Sequence, residues 1–276
     1  MIQHATKITL VPTAGLCNRM NAILCGCYVN SKFHYPVDVY WEKTNDCCAL
    51  FSDLFQPIAV PEIKILPLIK WYLKPATKRN LFFPKMLRVF KFDRDYDGSL
   101  PQVYSKHIEQ LVNGKKDVYV TSYNRFCIID HDMNNVATIF KPQTDIESII
   151  TQVSSQFSSY TVGVHVRRTD NIHAINNNPI EKYISLMDHE VEMHPDVIFY
   201  VASDSNEVKQ FLRERYEGKG CRVIICEWTL QRNSLQGMKD AVAELYILGK
   251  ANKIIGSTHS TYSTMAARLY GKEIVI

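Results

Sequence analysis

Most signatures that would assign a function at sight are missing from this chain. There is no Walker A loop, GxGxxG turn, GxSxG elbow or HExxH pair, which removes the common phosphate-loop, dinucleotide, hydrolase and metalloprotease readings. No stretch approaches the roughly 18 apolar residues a spanning helix needs. The eight cysteines form no CxxC pair, and the neighbours Cys47 and Cys48 suit neither a bridge nor a tetrahedral zinc site. Residues 1–10 lack the apolar run of a signal peptide. Reduced thiols and a cytoplasmic location are therefore expected. Charge of one sign is also scarce. Thirty-two Lys and Arg face 28 Asp and Glu, a net of +4, so overall charge gives no argument for nucleic acid.

What remains is an ordinary globular composition. Of 276 residues, 46% are hydrophobic and 22% charged, which excludes a disordered chain, collagen and a coiled coil. The length fits one large domain or two modest ones.

The pattern along the chain reads as α/β. Lys7–Val11 is a short apolar strand ending in a Pro-Thr-Ala-Gly turn. Cys17–Asn30 reads as a helix, with Met20, Ile23, Leu24 and Cys27 on one face, and Val37–Trp41 as a second strand. Residues 57–95 read as an irregular insert. They hold five prolines, and residues 61–95 carry nine Lys or Arg against three Asp or Glu. The plainer reading is a solvated insert whose long side chains cover apolar surface. The sharper one is a peripheral membrane contact through residues 61–95, with Trp71, Tyr72, Phe82 and Phe83 as interfacial residues.

Val118–Thr121 is a further strand, and Thr144-Asp-Ile-Glu147 predicts a capping box opening a helix. Beyond it the rhythm is regular. Strands at Thr161–Val166, Val197–Ala202, Val223–Cys226, Lys253–Gly256 and Glu273–Ile276 alternate with helices near 180–192, 205–216, 236–250 and 261–270. This is the signature of parallel βαβ units and of a Rossmann-like domain. We expect an N-terminal α/β domain over 1–148 and the Rossmann-like domain over 149–276.

Parallel sheets bind ligands beyond the C-terminal ends of their strands. The strand Thr161–Val166 runs directly into Arg167, Arg168, Thr169 and Asp170. Alternation puts His165 and Arg167 on one face. Paired arginines at that edge call for a carboxylate or phosphate, which their planar fork suits. Asp170 could orient one of them. The strand Lys253–Gly256 runs into a hydroxyl-rich turn from Ser257 through Ser260 and Thr261, opening a helix whose free N–H groups favour an anion. Asp204, ending another strand, reads as a ligand or a cap. Gly15, Asn18 and Arg19 follow the first strand, where Gly15 would allow close backbone approach. Asp93, Asp95 and Asp97 mimic a calcium loop, but position twelve is Tyr104 and Pro101 interrupts the loop, so no metal site is expected.

His165-Val-Arg167-Arg168-Thr-Asp170 resembles the HxRRxD motif of the fucosyltransferase superfamily, which includes α1,6- and protein O-fucosyltransferases and the rhizobial nodulation enzyme. Gly15-Leu-Cys-Asn18-Arg19 is similar to the N-terminal turn of these enzymes. Asp240 and Glu244 on a helix, followed by Ser257–Tyr262, are similar to their last motif. Asn171 stands where many relatives carry Lys. The resemblance implies two Rossmann-like domains in a GT-B-like arrangement with the cleft between them. It implies an inverting, metal-independent fucosyl transfer from GDP-β-L-fucose, with no cofactor, to a glycan acceptor, expected on the N-terminal side; the basic, aromatic insert at 61–95 would let that acceptor be a lipid-linked glycan. Arg167 and Asp170 would be catalytic. Gly15, Asn18, Arg19, His165, Arg168, Asp204, Glu244, Ser257, Ser260 and Thr261 would bind the donor. Another nucleotide sugar, or a non-catalytic anion- or nucleic-acid-binding module, would use the same arginines. The modest net charge speaks against nucleic acid.

Overall fold

A computed structural model describes residues 6–60, 62–97, 108–127, 136–168, 177–229 and 231–276. The chain forms two compact units, Met1–Met133 and Asn134–Ile276. The second unit thus starts ahead of the 148/149 boundary expected from sequence. The reason is packing: the helix Thr144–Ser154 lies against the helix Leu235–Lys250 of that unit.

The first unit is a parallel sheet of β1 (Lys7–Pro12), β2 (Val37–Trp41), β3 (Ile63–Pro67), β4 (Arg94–Tyr96) and β5 (Asp117–Ser122). Their spatial order is β3-β2-β1-β5-β4. Helix α1 (Leu16–Phe33) follows β1. It buries Met20, Ile23, Leu24 and Cys27 as expected, but also Asn21, Ala22 and Cys25. Its apolar residues are spread around the axis, which marks a helix buried on more than one face. A Cβ at Gly26 would lie 3.3 Å from Val37, so glycine lets α1 sit close on β2. Shorter helices follow: α2 (Phe51–Leu54), α3 (Phe83–Arg88) and α4 (Ile108–Val112).

The insert at 57–95 is not irregular throughout. It donates β3 and β4 to the sheet, pairing with β2 and β5. Its prolines and lysines hid the short strands from a periodicity argument. The aspartates of the calcium-loop mimic have structural partners instead. Asp93 accepts from the backbone N–H groups of Lys116 and Asp117, while Asp95 and Asp97 hold the buried Arg88.

The second unit contains α5 (Thr144–Ser154), β6 (Thr161–Val166), α6 (Ile180–Met193), β7 (Ile198–Ser203), α7 (Asn206–Glu217), β8 (Arg222–Ile225), α8 (Leu235–Lys250), β9 (Lys253–Ile255), α9 (Thr261–Tyr270) and β10 (Glu273–Val275). The capping box expected at Thr144 does not form: Gln143 is the cap, and its side chain does not bond to the helix's first N–H groups. The strands pair in parallel in the order β10-β9-β6-β7-β8. Counted from β6, that order reverses direction between β6 and β9, which is where doubly wound sheets open a crevice. Val162, Val164, Val166, Phe199 and Val201 are fully buried in the core beneath. Gly163 admits α8 to the sheet, since a Cβ there would lie 2.7 Å from Leu248.

Candidate donor site

Register builds the site. His165 pairs with Ala202 and Val166 with Ser203, so Arg167 and Asp204 leave neighbouring strands at the same level. On the other side Val164 pairs with Ile255, which brings Gly256 and Ser257 beside His165. All of these lie at the carboxyl edge.

Ser257 fastens this edge together. Its Oγ donates to the His165 carbonyl at 2.9 Å and accepts from the Arg167 N–H at 3.1 Å. Tyr183 Oη stands 2.6 Å from the same oxygen. The serine proton is already committed to His165, so Tyr183 is the donor. The Ser257 N–H in turn donates to Ser263 Oγ at 3.0 Å. Gly256 makes this possible, because a Cβ there would meet the Ser263 Cβ at 2.8 Å. Ser257 is wholly buried, so it positions backbone rather than facing a ligand.

Arg167 and Arg168 diverge, as strand alternation requires. Arg167 lines a cavity of about 350 Å³ together with His165, Asp204, Trp228, Glu244 and Tyr262. Its Nε lies 3.6 Å from Asp204 Oδ2. Arg168 lines a separate, more open depression with Pro179, Ile180 and Phe211. Its guanidinium donates to the Asn178 carbonyl at 2.8 Å and sits 6.0 Å from the Tyr183 ring centre. Asp204 also accepts from the Arg168 N–H at 2.7 Å, so it acts as a strut between the two arginines. The cap of α7 is Ser205, whose Oγ accepts from Val208 N–H.

His165 sits in the cavity wall with Nδ1 2.7 Å from Ser263 Oγ and its ring 4.9 Å from that of Tyr262. Burial, and then the charge of Arg167, hold its pKa down at about 3. The imidazole is therefore neutral at working pH and offers hydrogen bonds without charge. Glu244 is buried beside Lys209 at 2.9 Å. Burial pushes the Glu244 carboxyl up from its ordinary value, against the pull of Lys209. Asp240, one turn before Glu244 on α8, lines the same cavity. Its two oxygens accept from Thr229 N–H at 2.8 Å and Gln236 Nε2 at 2.7 Å, which ties the segment after β8 to the start of α8.

The remaining expected residues fall as follows. Ser260 caps α9 without a side-chain bond, and Thr261 is the first residue of that helix. The helix contributes Tyr262 to the cavity wall. Gly15 and Asn18 lie at the start of α1, at the carboxyl edge of the first sheet. Gly15 has φ −72°, and the nearest atom to a Cβ there would be 4.0 Å away, so the chain's own packing does not demand glycine. Arg19 does not point into an open edge. It is buried, with Nε donating to the Ala14 carbonyl at 2.7 Å, its terminal nitrogens to the Glu42 carbonyl at 2.5 Å and Thr44 Oγ1 at 2.8 Å, and its plane 4.8 Å from the Trp41 ring centre. That geometry makes it a brace for the β1 turn. Asp170 lies outside the described residues, as do Thr169 and residues 171–176.

Sequence reasoning missed Trp228, Gln231, Arg232 and Gly237, which also line the cavity. The edge rule that selected the ends of β6 and β9 applies equally to β8, and following it would have pointed to them.

The fold defined by these two sheets is of the GT-B-like α/β class. Solved structures of fucosyltransferases share it. NodZ α1,6-fucosyltransferase, co-crystallised with GDP, superposes with a TM-score of 0.66 at 12% identity, covering 96% of this chain and 93% of that one. A mutant of Arabidopsis thaliana FUT1 in complex with GDP gives 0.65 at 15% identity, over 98% of this chain and 69% of that one. POFUT1 in complex with GDP gives 0.59 at 12% identity, over 99% and 96%. No protein-family model matches the sequence, and no curated protein does.

Proposed function

We propose that the chain is a glycosyltransferase that transfers fucose from GDP-β-L-fucose, with inversion and without a metal ion, to a glycan hydroxyl. The observation that carries this reading is Arg167. It stands at the switch point of a parallel sheet, fixed at its backbone by Ser257 and opening into a cavity walled by His165 and Glu244. Crystal structures of neighbours of the same fold hold GDP, and crystals of one were soaked with GDP-fucose.

The chemistry follows from the charges. Cleavage of a nucleoside diphosphate sugar builds negative charge on the diphosphate. Arg167 and the N-terminus of α9, where Ser260 and Thr261 sit, meet that charge. Removing one such donor costs ~3–4 kcal/mol of barrier. Glu244, in the cavity wall, offers its carboxylate to the paired N–H donors of guanine. His165, being neutral, orients phosphate oxygens or the sugar without adding charge. Asp204 and Ser257 are positioning residues for Arg167. Asp170 is taken as catalytic on the strength of the motif, and the partner of the acceptor hydroxyl would be drawn from Asp170, His173, Glu181 and Asp204.

Calorimetric titration with GDP, ADP and UDP in EDTA tests the reading. Wild type is expected to bind GDP selectively at micromolar concentration, and Arg167→Ala to lose that binding while melting normally. Equal binding of all three nucleotides, or of none, would remove the donor assignment.

A further inference from the structure

The segment 81–90 of the first unit is folded inside out. In α3 the two buried side chains are Pro84 and Arg88, one turn apart on the same face. Arg88 is wholly buried. Its Nε donates to Asp95 at 2.9 Å, its terminal nitrogens reach Asp97 and the carbonyls of Tyr72 and Lys74, and its guanidinium lies 4.0 Å from the Tyr119 ring centre. The side chains left outside are apolar. Phe90 is 88% exposed, Leu81 71%, Val89 67% and Met86 61%, with Phe82, Phe83 and Leu87 near half. Ile69 and Trp71 are exposed as well. Scattered apolar residues on a surface need no explanation, but a clustered set does.

Two backbone features sharpen the point. Leu81 and Phe82 have φ of 51° and 57°, the left-handed region that bulky residues avoid. The fold therefore carries strain at two residues whose side chains add little to the core. It also buries an arginine with two aspartates, an expensive anchor compared with apolar packing. Both costs leave an apolar surface in the solvent.

Charge selects the occupant. Residues 69–92 contain seven basic residues, from Lys70 to Lys91, and no Asp or Glu. Lys70, Lys78, Arg79, Lys85 and Lys91 are exposed among the apolar side chains. A second copy of the chain would set these cations against one another. An anionic bilayer offers an apolar layer and complementary charge together. No helix among the described residues is long and apolar enough to cross a membrane, so contact would be at the surface. We propose that residues 69–91 dock on an anionic lipid bilayer, with Leu81, Phe82 and Phe90 entering the headgroup layer. This uses the first unit alone and is independent of the donor reading.

Vesicle flotation of the full chain, without nucleotide, tests it. Vesicles of phosphatidylcholine with phosphatidylglycerol should carry the protein up, and phosphatidylcholine alone should not. K78E/R79E should weaken binding roughly 20- to 30-fold, at about fivefold for each lost cation even before repulsion is counted. Leu81→Asn with Phe82→Asn gives a second readout. Asn tolerates the left-handed backbone, so the variant should melt at or above the wild-type temperature while binding vesicles less. Core residues would show the opposite, with melting lowered. Absence of flotation by wild type, or unchanged binding by both variants, would overturn the proposal. So would self-association in sedimentation that the Asn variant abolishes, with no vesicle binding: that result assigns the surface to a second copy.

Discussion

Acidification should strip stability from the second unit through His165. A histidine in the unfolded chain titrates near 6.5, whereas in the fold His165 stays neutral until about pH 3, because of burial and then Arg167. Between these values a proton binds the unfolded chain and not the native one. The stabilisation is complete above the unfolded value and declines as pH falls, by about 1.4 kcal/mol per pH unit. At about pH 5 the loss is ~2 kcal/mol, a large part of a domain's stability. Carboxylates with lowered pKa, such as Asp188 and Glu190, give up their contributions only below their unfolded values of 3.8 and 4.5, so they are nearly silent in this window. His165→Asn isolates the effect. Its amide can take the place of Nδ1 beside Ser263 but cannot titrate. Urea denaturation at neutral pH and at about pH 5 would be followed by Trp228 fluorescence, with Trp41 and Trp71 replaced by Phe in both proteins. The wild type should lose ~2 kcal/mol more than the variant over this interval. Equal losses would show that His165 charges freely in the folded protein and refute the argument.

Two further outcomes are expected. Arg88→Met should destabilise the first unit by about 3–5 kcal/mol, because it strands Asp95 and Asp97 without their partner; adding D95N and D97N should restore part of the melting temperature. Gly237→Ala would place a Cβ 2.0 Å from the Gln231 carbonyl and 2.9 Å from that of Thr229. The segment over the cavity must shift, at a cost of about 1–3 kcal/mol, and calorimetry should find GDP binding weakened more than in any variant of an exposed α8 residue.

The second unit was largely legible in the sequence. Its strands alternate with helices of full length, and β6 and α9 were expected at their observed bounds. Period and spacing suffice there because every element is buried on the faces its pattern declares. The first sheet was half legible. β3 and β4 are short edge-side strands with Lys64, Arg94 and proline in or beside them, and local pattern cannot signal pairing that arrives from distant chain. The site was legible as a location, the carboxyl edge, more than as a set of roles. Arg19 and Ser257 look like ligand contacts by type and place, yet long-range hydrogen bonds turn them into braces. Asp240 and Glu244 were interchangeable in sequence. Both line the cavity in the structure, Asp240 accepting from Thr229 and Gln236 and Glu244 paired with Lys209.

Ser257 has a bearing on how such a chain can diversify over generations. One buried hydroxyl holds the ends of two strands and the ring of Tyr183, so replacing it disturbs three partners at once and leaves little room for drift. Trp228, Gln231 and Arg232 face the same cavity from a segment held at the margin of the unit. Exchanges there alter what the cavity admits while the strand edge stays fixed. Inheritance would thus keep the strand edge constant and let descendants vary the cavity along the segment between β8 and α8.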